Sequence, residues 1–353
     1  MDQSKMKELT KELVSFKTTE GNKKEISNCL EHIEEYFIDT GLEVRRFEKD
    51  NVPSLFISSN KQDLQPRILL HGHIDVVEAD EEMFEPCEKD GKLYGRGTAD
   101  MKGGVAVLMK LMKDLEPANT SLLITSDEEV GGFNGTGYLV EEKGLEPEFV
   151  ISAEPCEKGD FPTIVNQHKG VYQVRLSASG ESCHASKPEN GVNAIDKIIE
   201  EYQKFKTVFA KSEIETTLNL GKIEGGESLN QVPEKVFMEL DIRFNDTLKP
   251  RSIEERLEEL DVNYEVIAEA PMMYTSQDNR YVERLKTCIA EDSSNYFGSQ
   301  DFASDARFFT EKGIPAVLFG PEGENIHGEQ EHVEIKTLKK FYNYLESFVE
   351  KGD

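Results

Sequence analysis

The sequence is short of positive charge: 41 lysines and arginines stand against 69 aspartates and glutamates, for a net charge of −28. A surface of this sign repels nucleic acid and anionic membranes, so neither is expected as a partner. The same negative field attracts cations, including metal ions. Because acids are so abundant, a small acidic cluster does not mark a site by itself.

Long apolar runs and paired cysteines are also missing. No stretch reaches the length of a membrane-spanning helix, and the first residues, MDQSKMKELTKEL, lack the apolar centre of a secretory signal. The five cysteines are scattered and form no CxxC pair. We therefore expect reduced thiols in the cytoplasm rather than a disulfide framework.

The 353 residues suggest about two domains. In the first half, apolar stretches predict strands that alternate with helices. The predicted strands are 54–59, 67–77, 121–126 and 149–155, and the predicted helices are 2–17, 24–40, 99–115 and 134–143. Such alternation is typical of an α/β fold with a largely parallel sheet covered on both faces.

The pattern changes at residue 170 and returns to α/β after residue 275. In between, we predict strand 170–178, helix 191–207, strands 214–222 and 236–245, helix 251–260 and strand 263–269, which is the βαββαβ order of the ferredoxin-like split motif. Helix 280–291, strand 316–321 and helix 333–350 follow. Residues 1–169 and 275–353 are thus predicted to form one catalytic domain, with 170–274 inserted as a second domain.

Polar residues cluster where the predicted strands end. In open α/β sheets, ligands bind at the carboxyl ends of the strands, so these side chains are expected to meet there. They are His71, His73 and Asp75 from strand 67–77, Asp127, Glu128 and Glu129 at the end of strand 121–126, Glu154 from strand 149–155, His327 in the loop after strand 316–321, and Asp100 at the start of a helix.

Histidine, aspartate and glutamate are the ligands of zinc, cobalt or manganese. Two histidines and three carboxylates serve two ions if one carboxylate bridges them, and a further carboxylate is left as the general base of a hydrolysis. Each residue alone also fits an ordinary role, such as a core histidine or a helix N-cap. Their occurrence together at the ends of several strands favours the metal site.

The tripeptide Asp-Glu-Glu occurs twice, at 80–82 and at 127–129. The first copy lies several residues beyond its strand and is interpreted as solvated loop acids. The second copy ends an apolar strand and precedes Val-Gly-Gly. Acids at a helix start would complement the helix dipole, but metal cations also compensate adjacent like charges. The second copy is therefore the candidate site.

Eight segments resemble, in order, the co-catalytic zinc aminoacylase family, which includes acetylornithine deacetylase, succinyl-diaminopimelate desuccinylase, aminoacylase and glutamate carboxypeptidase. They lie between residues 67 and 335 and read HGHIDVV, GRGTADMKGG, SDEEVGG, AEP, HASKPENGVNAI, LDIRF, SDARF and IHGEQEHV. The resemblance implies a zinc-peptidase-like α/β catalytic domain with a mixed, mainly parallel sheet. It also implies that the inserted ferredoxin-like α+β domain is a dimerisation or lid domain.

The resemblance implies two divalent metal ions. Zinc is the expected metal, and cobalt or manganese is also possible. The implied ligands are five residues: His73 and Glu154 on one ion, Glu129 and His327 on the other, and Asp100 as the bridge.

Two further residues gain implied roles in the catalytic domain. Asp75 would orient the imidazole of His73, and Glu128 would be the general base. The family also has a cis peptide bond after the bridging aspartate, which here is Asp100–Met101.

Four residues are implied to act on the substrate. His184 would reach the active site of the neighbouring subunit of a homodimer and stabilise the tetrahedral oxyanion. Asn230 would lie near the substrate, and Arg243 and Arg307 are candidates for binding its carboxylate through a bidentate fork. The alternatives are an exposed loop histidine, an ordinary turn residue and surface ion pairs.

The expected reaction is hydrolysis of an amide next to a carboxylate, in an N-acyl amino acid such as N-acetylornithine or N-succinyl-diaminopimelate. A dipeptidase or carboxypeptidase that cleaves short peptides by the same chemistry is the alternative. A mononuclear hydrolase is a further possibility. A non-catalytic relative would have lost a ligand or the base, and every expected position is present.

Overall fold

The computed structural model describes residues 3–59, 64–157, 159, 161–209, 216–245, 250–292 and 296–350. The chain divides into two compact units. The first comprises residues 1–167, 274–299 and 304–353, and the second comprises residues 168–273 and 300–303. Assignment of 300–303 to the second unit was not part of the predicted boundaries.

The helices and strands are given in chain order. The helices are α1 (Gln3–Val14), α2 (Lys23–Tyr36), α3 (Gly103–Leu115), α4 (Tyr138–Glu141), α5 (Ala194–Phe209), α6 (Pro250–Glu258), α7 (Arg280–Ile289), α8 (Ala306–Glu311) and α9 (Ile335–Glu350). The strands are β1 (Glu43–Lys49), β2 (Val52–Ser58), β3 (Ile68–His73), β4 (Cys87–Lys89), β5 (Lys92–Tyr94), β6 (Thr120–Thr125), β7 (Phe149–Ser152), β8 (Ile164–His168), β9 (Gly170–Ser179), β10 (Thr217–Gly225), β11 (Lys235–Phe244), β12 (Asn263–Ala270), β13 (Met273–Tyr274), β14 (Phe297–Gln300), β15 (Ala316–Leu318), β16 (Gly323–Glu324) and β17 (His332–Glu334).

The first unit is built on a large mixed sheet with the order β1-β2-β6-β3-β7-β15-β8-β13, to which β14 adds by pairing with β8. The central strands β6, β3, β7 and β15 are parallel to one another. The outer pairs β1–β2, β2–β6 and β15–β8 are antiparallel. The predicted α/β fold with a mixed sheet and a parallel centre is confirmed.

The apolar composition of the central elements explains their burial. Every residue of β3, β6 and β7 is buried, as expected for parallel strands covered on both faces. Helix α3, GGVAVLMKLMKDL, is apolar over most of its length, and the amphipathic helices α1 and α9 pack against it. Among the helices of the described residues, none is both long and apolar enough to cross a bilayer.

Some predicted elements end or begin elsewhere. The helix predicted over 99–115 starts as an irregular turn, Thr98–Lys102, in which the Asp100–Met101 peptide bond is cis, as the family resemblance implied. Helix α9 begins only at Ile335, because residues 332–334 form β17. Strand β1 was missed, since EVRRFEK has few apolar residues and lies at the edge of the sheet, where it pairs with β2.

The second unit has an antiparallel sheet with the order β10-β11-β9-β12. Alternate residues of β9 and β11 are buried, which follows from the period of two in a strand with one covered face. Apolar residues of α5 and α6 complete this core. The chain order βαββαβ and this strand order confirm the predicted ferredoxin-like motif.

Candidate active site

The predicted ligand residues come together at one edge of the parallel sheet in the first unit. His73 is the last residue of β3, Glu129 lies in the turn after β6, and Glu154 follows β7. Asp100 lies in the irregular turn before α3, and His327 lies between β16 and β17. Because the central strands are parallel, their carboxyl ends deliver these side chains to the same place.

His73, Asp100 and Glu154 form the first set of donors. One ligand atom from each lies within 4.8 Å of the others, and His73 Nε2 is 3.1 Å from Asp100 Oδ1. Glu154 is buried, and its Oε1 has no hydrogen-bond partner among the described residues. A buried carboxylate oxygen without a donor is costly, so this atom is suited to face a cation.

Asp100, Glu129 and His327 form the second set, again within 4.8 Å of one another. His327 Nε2 lies 3.1 Å from Glu129 Oε1 and 3.3 Å from Asp100 Oδ2. The two oxygens of Asp100 therefore face different imidazole rings. A carboxylate in this position can bridge two ions.

The pKa values of the two histidines in these sets are both raised by nearby carboxylates. Hydrogen bonds to Asp100 and Glu129 raise the pKa of His327 to about 10. Burial lowers the pKa of His73, but hydrogen bonds to Asp100 and Asp75 outweigh it and leave the pKa well above its usual value. Concentrated carboxylate charge stabilises any cation placed here. The donor chemistry fits divalent ions of the zinc type.

Asp75 makes contacts with one residue of each donor set. His73 Nδ1 is 3.0 Å from the main-chain oxygen of Asp75 and 3.5 Å from its Oδ1, so the main-chain carbonyl is the closer acceptor of the ring N–H. Asp75 Oδ2 accepts a hydrogen bond of 2.9 Å from the main-chain N–H of Glu129. The residue thus connects the His73 ring to the turn that carries Glu129.

Glu128 lies beside the first set, with its Oε2 3.9 Å from His73 Nε2. Burial raises the pKa of its carboxyl group well above the usual value. His73 opposes this shift, while Glu154 and other nearby carboxylates add to it. Its position beside the first donor set is what places Glu128 to act as a general base.

The turn that carries Glu128 and Glu129 is closed by Asp127. Its main-chain oxygen accepts from the N–H of Gly132 at 2.7 Å, and its Oδ2 accepts from the N–H groups of Asn134 and Gly135 at 2.9 and 3.1 Å. The first Asp-Glu-Glu copy differs, because Glu81 is exposed and pairs with Lys17 at 2.5 Å.

Asp305 was not among the predicted site residues, although it belongs to the SDARF segment. It is fully buried and accepts a hydrogen bond of 2.6 Å from Thr136 Oγ1. Its Oδ2 lies 3.7 Å from Nε2 of His71, a buried histidine whose Nδ1 is 2.9 Å from Ser152 Oγ. Burial lowers the pKa of His71 to about 3, so the ring is neutral. His71 is therefore a buried neighbour of Asp305 and belongs to neither donor set.

Arg307 is buried and donates hydrogen bonds to main-chain oxygens. It donates to Ser304 O at 2.9 Å and to Gly131 O at 2.6 Å, and its guanidinium group lies over the ring of Phe308. The hydrogen bond to Gly131 ties Arg307 to the turn over residues 127–137, which carries Glu128 and Glu129. Binding of a substrate carboxylate by Arg307 stays a prediction.

The remaining predicted residues belong to the second unit. His184 is exposed, and its Nδ1 accepts from the N–H of Ser186 at 3.2 Å, so the neutral ring carries its proton on Nε2. The main-chain oxygen of Asn230 accepts from the N–H of Ala185 at 3.0 Å, which brings the two loops together. Their roles stay predictions.

Arg243, on β11, forms a bidentate pair with Asp241. Its Nε and Nη2 lie 2.7 and 3.1 Å from Asp241 Oδ1 and Oδ2. Both side chains are partly exposed, with 31% and 26% of the side-chain surface accessible. The guanidinium group is therefore reachable from solvent, and its role in substrate binding stays a prediction.

A third set of possible donors is formed by Glu324, His332 and Glu334. The ammonium group of Lys92 lies among them, 2.9 Å from His332 Nε2 and 3.4 Å from each of the two glutamates. The positive charge of lysine compensates these carboxylates. The set is therefore a structural ion cluster.

A mixed α/β sheet with two carboxylate–imidazole donor sets at the carboxyl ends of its parallel strands is typical of a metal-dependent hydrolase. Residues 69–351 match the sequence model of peptidase family M20/M25/M40. The chain belongs to this family, and it is a hydrolytic enzyme.

Relatives and solved structures agree with this assignment. The chain is 32% identical to succinyl-diaminopimelate desuccinylase of Nautilia profundicola over 98% of both proteins. It is 29% identical to the enzyme of the same name from Nitratiruptor sp., over 95% of this chain and 96% of the relative. A tripeptidase from Staphylococcus aureus has the same fold, with a TM-score of 0.81, 24% identity, and coverage of 99% and 98% of the two chains.

Proposed function

We propose that the protein is a di-zinc hydrolase of the succinyl-diaminopimelate desuccinylase or acetylornithine deacetylase type, which cleaves the amide bond of an N-acyl amino acid in amino-acid biosynthesis in the cytoplasm. The observation that carries the proposal is the pair of donor sets joined by Asp100, with Glu128 beside them. The full-length similarity to two succinyl-diaminopimelate desuccinylases supports the substrate class.

The residues that would hold the two ions are those of the two donor sets: His73, Asp100 and Glu154 for one, and Asp100, Glu129 and His327 for the other. When bound, such ions supply Lewis acidity that polarises the amide carbonyl and lowers the pKa of the attacking water. Cobalt or manganese would suit the same oxygen and nitrogen donors.

The chain's own groups carry the proton. Glu128 accepts a proton from the attacking water through its carboxylate and later gives it to the nitrogen of the leaving amine. Its carboxylate lies beside the first donor set, with Oε2 3.9 Å from His73 Nε2. The Asp75 main-chain carbonyl fixes the tautomer of His73 by accepting from Nδ1, so that Nε2 faces the site.

The second unit would supply substrate contacts in a homodimer. We propose that His184 of the neighbouring subunit donates from Nε2 to the developing oxyanion, which accords with its Nδ1 accepting from Ser186. Arg243 would bind the substrate carboxylate through its planar fork, and Asn230 and Arg307 would lie near the substrate.

The substrate class is tested by turnover. Purified protein supplied with zinc or cobalt should hydrolyse N-succinyl or N-acetyl amino acids faster than dipeptides and tripeptides. A kcat/KM that is higher for the peptides would instead favour the dipeptidase or carboxypeptidase alternative. No turnover of either group would contradict the proposal.

The role of the base is tested by Glu128→Gln. The amide cannot accept the proton from water, so kcat should fall by about 10²–10⁴-fold. The zinc content should stay near that of the wild type, because Glu128 belongs to neither donor set. Wild-type turnover in this variant would refute the assignment. Glu129→Gln is the matched comparison and should lose metal affinity as well.

A further inference from the structure

Glu331 makes an unusual set of contacts close to the candidate metal site. Its side chain is buried, and Oε1 accepts hydrogen bonds from the main-chain N–H groups of Gly97, Ala99 and Asp100 at 2.9, 3.1 and 3.2 Å. The last of these is the N–H of the proposed bridging ligand itself. One carboxylate oxygen thus fixes the turn in which Asp100 lies.

The second oxygen of Glu331 is connected, through Arg96, to the segment that carries His327. Oε2 is 2.5 Å from Nη1 of Arg96, which is also buried. Nη2 of the same guanidinium group donates to the main-chain oxygen of His327 at 3.0 Å. The segment that carries His327 and the turn that carries Asp100 are therefore connected through two charged side chains.

The connected segments supply two of the three residues in the second donor set. His327 Nε2 and Asp100 Oδ2 are 3.3 Å apart. Asp100 lies in the irregular turn Thr98–Lys102 and has non-helical backbone angles, and His327 lies between β16 and β17. His327 also has a positive φ of 63°. Charged hydrogen bonds in a buried place are strong and directional, so they can define this separation.

We propose that Glu331 is a positioning residue for the second donor set. Through the main-chain N–H of Asp100 and through Arg96, it sets the position of Asp100 relative to His327. The inference rests on the proposed metal-binding function of these residues. A purely compensating role, in which Glu331 only neutralises Arg96, is the competing explanation.

Glu331→Asp separates the two explanations. The shorter side chain keeps the negative charge next to Arg96, but it cannot reach both the guanidinium group and the three N–H groups. If Glu331 positions the ligands, zinc affinity should fall by about 10–100-fold, as is typical when a residue that orients a metal ligand is changed. The visible absorption spectrum of the cobalt-loaded protein should change as well.

Glu201→Asp is the matched control. Glu201 is also a buried glutamate that accepts from a main-chain N–H, that of Asp261 at 3.0 Å, and it binds Lys204 at 2.6 Å. It lies in the second unit, within α5. Its substitution carries the general cost of shortening a buried glutamate, and both zinc affinity and the cobalt spectrum should match the wild type.

Zinc affinity is measured by competition with a chromophoric chelator, and folding is checked by circular dichroism. Wild-type affinity and cobalt spectrum in folded Glu331→Asp would overturn the proposal. If that variant does not fold, Arg96→Lys decides. Lysine keeps the charge but cannot donate in the planar fork to both Glu331 and His327, so reduced affinity supports the proposal and wild-type affinity overturns it. These readouts need no substrate, so failure of the proposed reaction would be seen separately, as absent turnover in the wild type.

Discussion

Gly132→Ala is expected to disturb the 127–137 turn from within. Gly132 has a φ of +65°, and a Cβ atom added there would lie 1.8 Å from Asp305 Oδ1, whereas ordinary contact begins at 3.4 Å. One of the two groups must therefore move by about 1.6 Å. The carboxyl group of Asp305 is buried and bound to Thr136 Oγ1 at 2.6 Å, so its movement breaks that hydrogen bond.

The magnitude follows from two contributions. A left-handed backbone costs a non-glycine residue about 1–2 kcal/mol. A buried carboxyl group that loses its hydroxyl donor costs about 1–3 kcal/mol more. We therefore expect Gly132→Ala to lower the free energy of unfolding by about 2–5 kcal/mol.

Gly144→Ala isolates the backbone contribution. Gly144 has a similar φ of +74°, and no atom of the described part of the chain lies within 4 Å of an added Cβ atom. This variant should lose only about 1–2 kcal/mol. Both variants are compared with the wild type by urea unfolding at the same zinc concentration.

Turnover gives a second measure of the same displacement. Glu128 and Glu129 belong to the turn that Gly132 closes by donating to Asp127 O. A shift of about 1 Å in a reacting group can cost about 10²-fold in rate, so kcat should fall to that extent in Gly132→Ala and not in Gly144→Ala. Equal losses of stability and rate in the two variants would refute the reasoning.

Two further predictions concern metal binding and the substrate. Because the pKa of His327 is raised to about 10, the ring is protonated at pH 7.5 and must lose its proton to bind zinc. Calorimetry of zinc binding in buffers of different ionisation enthalpy should therefore show proton release. Zinc affinity should rise by about tenfold per pH unit for each proton released. A zinc affinity that falls as the pH rises would contradict this prediction. Arg243→Ala should raise KM at least about tenfold with little change in kcat, because a bidentate carboxylate contact is lost. Arg175, on the adjoining strand β9, forms a similar pair with Glu239 at 2.6 Å. Arg175→Ala should therefore keep the wild-type KM. An equal rise of KM in both variants would argue against a specific role for Arg243.

The central fold could be predicted from the sequence because its signals are local. Apolar strands such as ILLHGH are buried along their whole length, and β9 and β11 show a clear alternation. Strand β1 carries no such signal, since its charged residues remain partly exposed at a sheet edge. Short strands such as β16 and β17 depend on pairing between distant segments, which no local pattern contains.

The same distinction applies to the site. The residues of the two donor sets stand at strand ends or in glycine-rich turns, so their convergence could be expected from the topology. Glu331 is different, because it acts on main-chain N–H groups more than 230 residues away in the sequence. Almost every residue has a main-chain N–H group, so a sequence pattern of side chains cannot show which of these groups Glu331 will bind.

The place where the second unit interrupts the first has an evolutionary consequence. Thr275 N donates to Asn166 O at 2.9 Å, and Asn166 Nδ2 donates to Thr275 O at 2.7 Å. Asn166 lies on β8 and Thr275 directly follows β13, so the chain leaves and re-enters the large sheet at neighbouring positions. A segment with neighbouring ends can be lengthened, exchanged or replaced by a short loop while the register of the sheet is kept. The inserted unit can therefore change in length or sequence without shifting the register of the catalytic sheet.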